Sequence, residues 1–124
     1  MSEKITSVDH TIGVLDKLTG VNIETIRYYE RIGLLPEPAR NSGNYRVYGD
    51  THVRRLTFIR KARDLGFPIE AVRRMLALSD QPGRPCGEVD ALVVEQMREV
   101  ERKIADLERL RAELDRLAHQ CRGG

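Results

Sequence analysis

The sequence predicts a mainly helical chain in two parts: a small helical unit bearing a two-stranded wing, then one long C-terminal helix. Three observations carry that reading. Apolar residues recur at spacings of three and four through most of residues 11–80. A turn-forming run, Asn41-Ser42-Gly43-Asn44, leads into Tyr45, Val47 and Tyr48, residue types that favour extended chain. Beyond a Pro- and Gly-containing break, apolar residues continue at helical spacing to Leu117.

Taken in order, residues 1–10 are short, polar and aperiodic and read as a disordered leader. Ile12, Leu15 and Leu18 share a helix face at spacing three, and Gly20 ends that helix just past Thr19. A second short helix is expected over about 23–31, capped by Asn22, with Glu24 in its first turn. Ile23, Ile26 and Glu30 fall on one side of it. Gly33-Leu34-Leu35-Pro36 breaks the pattern, and the 40–48 segment, too short for a sheet domain, fits a wing on a helical core. Asp50 or Thr51 caps the next helix, where Val53, Leu56, Ile59 and Ala62 line one face with Phe58 beside them, up to Gly66. Pro68 opens another, apolar at Ile69, Val72 and Leu76.

Residues 81–87 read as a linker with two of the five prolines, 88–119 as the long helix and 120–124 as a short tail. The apolar seam is Val89, Val93, Met97, Val100, Ile104, Leu107, Leu110, Leu114 and Leu117, close to a heptad pattern. Charged residues occupy most of the other positions. One apolar stripe with no intramolecular helix of comparable length to cover it predicts a homodimeric coiled coil.

Composition removes several classes. With 32% charged and 40% apolar residues, no run of about 18 apolar residues exists to cross a membrane. The N-terminal residues lack the apolar stretch of a secretion signal, so a cytoplasmic chain without membrane partners is expected. Two cysteines, Cys86 and Cys121, are too few for a disulfide scaffold and read as free thiols in a reducing compartment. There is no glycine-rich phosphate loop, no nucleophile–base pair, and His10, His52 and His119 are scattered, so an enzyme is not expected. The net charge of +2 is uneven: residues 11–80 carry twelve Lys/Arg against eight Asp/Glu, residues 81–124 eight against nine. The first part is therefore the one suited to a polyanion.

Two short helices joined across Gly20 suggest a helix-turn-helix, a weak signal by itself because many three-helix domains share it. Arg27 and Tyr28 project away from the Ile23/Ile26 face, Arg40, Tyr45, Arg46 and Tyr48 cluster in the wing, and Lys61 and Arg63 follow. Arginine supplies forked donors to phosphates and guanine edges, and tyrosine hydroxyls reach phosphate oxygens. The bland alternative is solvated surface arginines with tyrosines packed on the core.

The blocks Thr19-Gly20-Val21, Thr25-Ile26-Arg27-Tyr28-Tyr29-Glu30, Gly33-Leu34-Leu35, Tyr45-Arg46-Val47-Tyr48, Arg55-Leu56 and Leu65-Gly66-Phe67 occur in order. Together they resemble the MerR family of bacterial transcription regulators, most like its divalent-metal sensors, over about residues 12–121. The resemblance implies a winged helix-turn-helix DNA-binding domain at 11–80 and an antiparallel coiled-coil dimerisation helix. It also implies a palindromic promoter with a long spacer, switched by bending and untwisting the DNA, with RNA polymerase as a further partner. Carried over by position, Arg27 and Tyr28 belong to the recognition helix, Arg40, Tyr45 and Arg46 to wing contacts, and Arg63 to a further phosphate contact. Glu24 departs from the basic or small residue common in relatives, and Asn44 stands before Tyr45 where relatives carry Gly; Asn tolerates positive φ.

Cys86 and Cys121 are 35 residues apart, roughly 50 Å along a helix, so one chain cannot clamp an ion with both. An antiparallel pair sets the Cys86 end of one helix beside the Cys121 end of its partner, giving two equivalent sites built in trans. Cys121 also continues the seam four residues after Leu117 and could be simple packing. Metal-sensing relatives place ligand cysteines at these two positions, which implies a thiophilic ion (Hg, Cd, Zn or Pb) as effector. They usually add a third ligand beyond the position of Cys121; here His119 is the nearby supplement, with water or an exogenous thiol as others. Two thiolates alone suit a two-coordinate soft ion, whereas Zn²⁺ wants four ligands. The alternatives are a thiol–disulfide switch, a regulator with no effector, and a coiled-coil adaptor that binds no DNA.

Overall fold

The computed structural model describes residues 9–80, 83 and 86–123, with side chains throughout except at 86–90 and 122–123. The chain divides into two compact units, 1–80 and 81–124. The first contains α1 (Ile12–Thr19), α2 (Ile23–Arg31), β1 (Ala39–Arg40), β2 (Arg46–Val47), α3 (Asp50–Asp64) and α4 (Ile69–Asp80). The second is α5 (Cys86–Gly123).

Thr11 caps α1 by accepting the Val14 amide at 3.2 Å. At the other end the Gly20 amide closes on Asp16 with φ 75°, a left-handed conformation that glycine adopts without strain. The guanidinium of Arg60 occupies the space a side chain at Gly20 would need. Buried Thr19 completes the turn, donating to the Leu15 carbonyl at 2.8 Å and accepting the Val21 amide at 3.2 Å. Asn22 then caps α2, its oxygen 2.8 Å from the Thr25 amide.

Leu15, Ile26, Tyr29, Leu34, Tyr48, Leu56, Ile59 and Val72 lead one core drawn from all four helices, the loop after α2 and the residue after β2. The face expected of α1 is corrected: Leu15 is buried, but Leu18 is 54% exposed and Thr19 takes the inner position. Four residues return closer to the same azimuth than three do in a 3.6-residue turn.

The wing is an antiparallel pair with Ala39 opposite Val47 and Arg40 opposite Arg46. Asn41 organises its tip, its side-chain oxygen accepting from the Gly43 and Tyr45 amides at 2.9 and 3.1 Å. Asn44 adopts φ 67°, so asparagine supplies the left-handed residue in this turn.

Three further expectations change. His10 is not leader: it exchanges two 2.8 Å backbone hydrogen bonds with Tyr48, extending the wing's pairing by one bridge. The rest of the expected leader, 1–8, lies outside the described residues. Tyr48 itself is fully buried and not part of the wing's outer surface. Finally, α3 is capped by Gly49, not Asp50 or Thr51, because His52 reaches back: its Nδ1 accepts the Gly49 amide at 3.2 Å. That leaves the His52 Nε2–H to donate to the Pro36 carbonyl at 3.0 Å, so both ring nitrogens are spent structurally.

The long helix runs further at both ends than the 88–119 expected, and Cys121 lies inside it rather than beyond it. The expected linker at 81, 82, 84 and 85 lies outside the described residues. Every large seam residue from Val93 to Leu117 is exposed, between 38% and 57%. Acid–arginine pairs Glu99–Arg102, Asp106–Arg109 and Glu113–Arg116 recur every seventh residue along the helix. No helix among the described residues is long and apolar enough to cross a membrane.

Candidate nucleic-acid interface and the cysteines

Three adjoining grooves surround α2. The first, about 440 Å³, lies between α2 and the wing and gathers Arg27, Arg40, Tyr45 and Arg46 over a floor that includes Tyr48. Residues of α2 and of both sides of the wing thus meet in one place. The second follows α2 itself, with Glu24, Arg27, Tyr28 and Arg31. The third joins the start of α2 to the end of α3 and holds Asn22, Thr25, Arg60, Arg63 and Asp64.

Several of the basic groups have a local partner. Arg40 Nη1 donates to the Asn44 carbonyl at 3.0 Å across the wing tip. Arg46 Nη1 lies 3.7 Å from a Glu30 carboxylate oxygen. Arg63 Nη1 donates to the Phe67 carbonyl at 2.9 Å. The Arg31 guanidinium stands 5.7 Å from the centre of the Tyr28 ring, a cation–π arrangement. Tyr28 and Tyr45 are exposed, at 45% and 73%, and Tyr29 and Tyr48 are buried.

Two arginines directly opposite on a two-pair ladder repel, which a protein concerned only with stability would avoid. A surface that concentrates Arg27, Arg40, Arg46, Arg60 and Arg63 around one helix is suited to phosphates. The sequence groups Lys61 with Arg63; the groove instead holds Arg60 with Arg63. Residues three apart share a helix face and residues two apart do not, a signal present in the sequence.

On the second unit, Cys121 is a free, exposed thiol. Cys86 begins the helix, but its side chain lies outside the described residues. His119 is turned to its own helix: Nδ1 is 2.9 Å from the Asp115 carbonyl and 3.6 Å from the Asp115 carboxylate. It therefore does not face the same way as Cys121, two residues on. Among the described residues no three His, Cys, Asp or Glu side chains converge enough to hold a metal ion.

Comparison with known proteins gives concordant results for both units. The family described as "MerR HTH family regulatory protein" matches residues 10–79, and that described as "MerR, DNA binding" matches 53–117. The HTH-type transcriptional regulator HmrR of Sinorhizobium medicae is 44% identical over 112 residues, 90% of this chain and 76% of that protein. The mercuric resistance operon regulatory protein of Serratia marcescens is 41% identical over 111 residues, with the same coverage of 90% and 76%. Among solved structures, the transcription regulator PbrR691 of Ralstonia metallidurans, in complex with lead(II), is 43% identical with a TM-score of 0.60. That alignment covers 85% of this chain and 82% of PbrR691.

Proposed function

Because the chain belongs to the MerR family of helix-turn-helix transcription regulators, we propose that it acts as an antiparallel homodimer whose promoter response is set by a thiophilic metal ion. The helix α2 and the wing read a palindromic duplex, with Arg27 and Tyr28 in the groove and Arg40, Tyr45, Arg46 and Arg63 on phosphates. Neutralising several phosphates makes that affinity salt-dependent.

The observation that carries the metal half is that one antiparallel register of α5 pairs Cys86 with Cys121 and still matches most of the apolar seam. An antiparallel pairing centred between Lys103 and Ile104 matches six of the nine seam positions. Two antiparallel copies sharing that centre set Val93 opposite Leu114, Met97 opposite Leu110 and Val100 opposite Leu107. The same register sets Cys86 of one copy opposite Cys121 of the other. One register therefore serves both the apolar pairs and the thiols, and the thiols select it, since the seam alone is more symmetric about Leu107.

The donor set fits a soft ion: two thiolates, one from each subunit, at each end of the paired helices. Bound there, such an ion supplies a covalent-strength link between the subunits. His119, held by Asp115, is left out of the donor set. The dimer then acts on the promoter by favouring a distorted DNA geometry, to which RNA polymerase responds; an effector shifts that balance only through its differential affinity for the two states.

Titration of the reduced dimer with Hg²⁺, Cd²⁺, Zn²⁺, Pb²⁺ and Cu⁺ under competition tests the reading. Uptake of two ions per dimer, with altered promoter output, is expected; no stoichiometric uptake of any of them removes the metal half. The exposure of Cys121 supports a second reading, an intersubunit disulfide switch. A covalent dimer on non-reducing gels after mild oxidation, abolished by Cys86→Ser, distinguishes it.

A further inference from the structure

Glu30 carries the wrong charge for the surface on which it sits. It occupies the last turn of α2, beside grooves lined with arginine. Its side chain is only 11% exposed, and each carboxylate oxygen has its own partner. Oε2 accepts the Tyr48 hydroxyl at 2.7 Å, and Oε1 is 3.7 Å from Arg46 Nη1. Tyr48 is a fixed post: fully buried, bonded on both sides to the His10 backbone, and edge-on to His52 at 5.2 Å. The wing has no comparable anchor of its own, since two residue pairs are too few for an independent sheet. Arg46 also faces Arg40 across that ladder, which pushes the two guanidinium groups apart.

We propose that Glu30 is a positioning residue for DNA binding: anchored through Tyr48, it aims Arg46 of the wing into the groove shared with Arg27. The inference rests on the duplex-binding reading above. A long arginine side chain on a short ribbon has many rotamers, and docking must select one of them. Glu30 makes that selection before DNA arrives and offsets the repulsion from Arg40. The cost is a negative charge near phosphate, which the adjacent guanidinium largely screens.

Glu30→Gln tests this, because it keeps an acceptor for Tyr48 and removes the charge that holds Arg46. The probe is a fluorescein-labelled duplex selected by the wild-type protein from a randomised pool, titrated at several salt concentrations. Glu30→Gln is expected to melt near the wild-type temperature and to lose about tenfold in affinity, as Arg46→Ala does. The double variant is expected to bind no worse than Arg46→Ala alone, since the two act as one unit. Arg46→Ala should reduce the slope of log affinity against log salt by about one, and Glu30→Gln should leave it unchanged. Tyr48→Phe, which keeps the ring and removes the anchor, should weaken binding by the same route and carries the test if Glu30→Gln fails to fold. Undiminished affinity in Glu30→Gln, or in Tyr48→Phe, overturns the proposal, as do losses that simply multiply in the double variant. A wild-type protein with no salt-dependent duplex binding overturns the DNA reading as well, whereas one that binds while Glu30→Gln is indifferent removes only the positioning role.

Discussion

Arg55 closes on Leu34: its Nε and Nη2 both donate to the Leu34 carbonyl, at 3.1 and 2.8 Å, from the far side of the loop that ends α2. Its Nη1 pairs with Asp80 at 2.7 Å, at the last residue of α4. Arg73 makes a parallel contact from α4, donating to the Ile32 carbonyl at 2.9 Å. Two arginines thus satisfy backbone acceptors left where α2 stops, and they fix how α2 sits on the unit. The Arg55-Leu56 block of the sequence is accounted for by this contact and by the buried Leu56 side chain.

Truncating Arg55 should cost more than truncating its acidic partner. Arg55→Ala leaves the Leu34 carbonyl without its two donors and is expected to destabilise the fold by about 2 kcal/mol. Asp80 is half-exposed, so Asp80→Ala removes a screened ion pair and should cost about 0.5 kcal/mol. Urea unfolding of both variants checks the ranking; equal losses would place the energy in the ion pair.

Arg27→Ala should weaken duplex binding by about tenfold or more, the range of a good bidentate base contact, while the dimer stays intact. Fluorescence anisotropy for affinity and analytical ultracentrifugation for assembly separate the two effects. Full retained affinity would remove Arg27 from the recognition surface.

On the proposed antiparallel dimer, Cys86→Ser and Cys121→Ser should each abolish the proposed metal response to the same extent, because each removes one thiolate from both sites. Isothermal titration with the ion that binds most tightly to the wild type provides the comparison. A large asymmetry between the two variants indicates a different donor set.

Direction of pairing can be read by crosslinking in a Cys86→Ser/Cys121→Ser background. Ile104→Cys, next to the proposed two-fold axis, should form a disulfide with its own copy on oxidation, and Val93→Cys should not. In a parallel pair each residue meets its own copy along the whole seam, so Val93→Cys would crosslink as readily.

Tyr48 gives the fold an alkaline limit. Burial first, and then the hydrogen bond to Glu30, push its hydroxyl up from 10.0 to about 12. The folded state therefore binds more protons than the unfolded chain between those values. Its stabilising contribution is complete below pH 10 and is lost as pH rises through about 12. Tyr48→Phe should lose less stability than the wild type across that window in pH-dependent thermal melts.

Much of the candidate site was legible because its signals are local. The Asn22 cap, the Gly20 turn and the Asn41–Asn44 wing tip depend on residues within a few positions of one another, and each was found where the sequence predicts it. Tyr48 and Glu30 were different. The pattern set Tyr48 in the wing and Glu30 on the Ile23/Ile26 side of α2, but nothing in the spacing could say that they meet. Their contact spans eighteen residues and depends on how the wing folds back on α2.

The sequence by itself determined the helix boundaries of the first unit to within a few residues, the wing and the seam. All of these follow from periodicity, caps and turn residues, which act over a few positions. Only the tertiary structure decided that Leu18 faces water and that His10, His52 and Glu30 serve Tyr48. Those outcomes depend on which surfaces meet when the core closes. Side-chain burial and long-range hydrogen bonds are properties of that closure, and no short stretch of chain contains them.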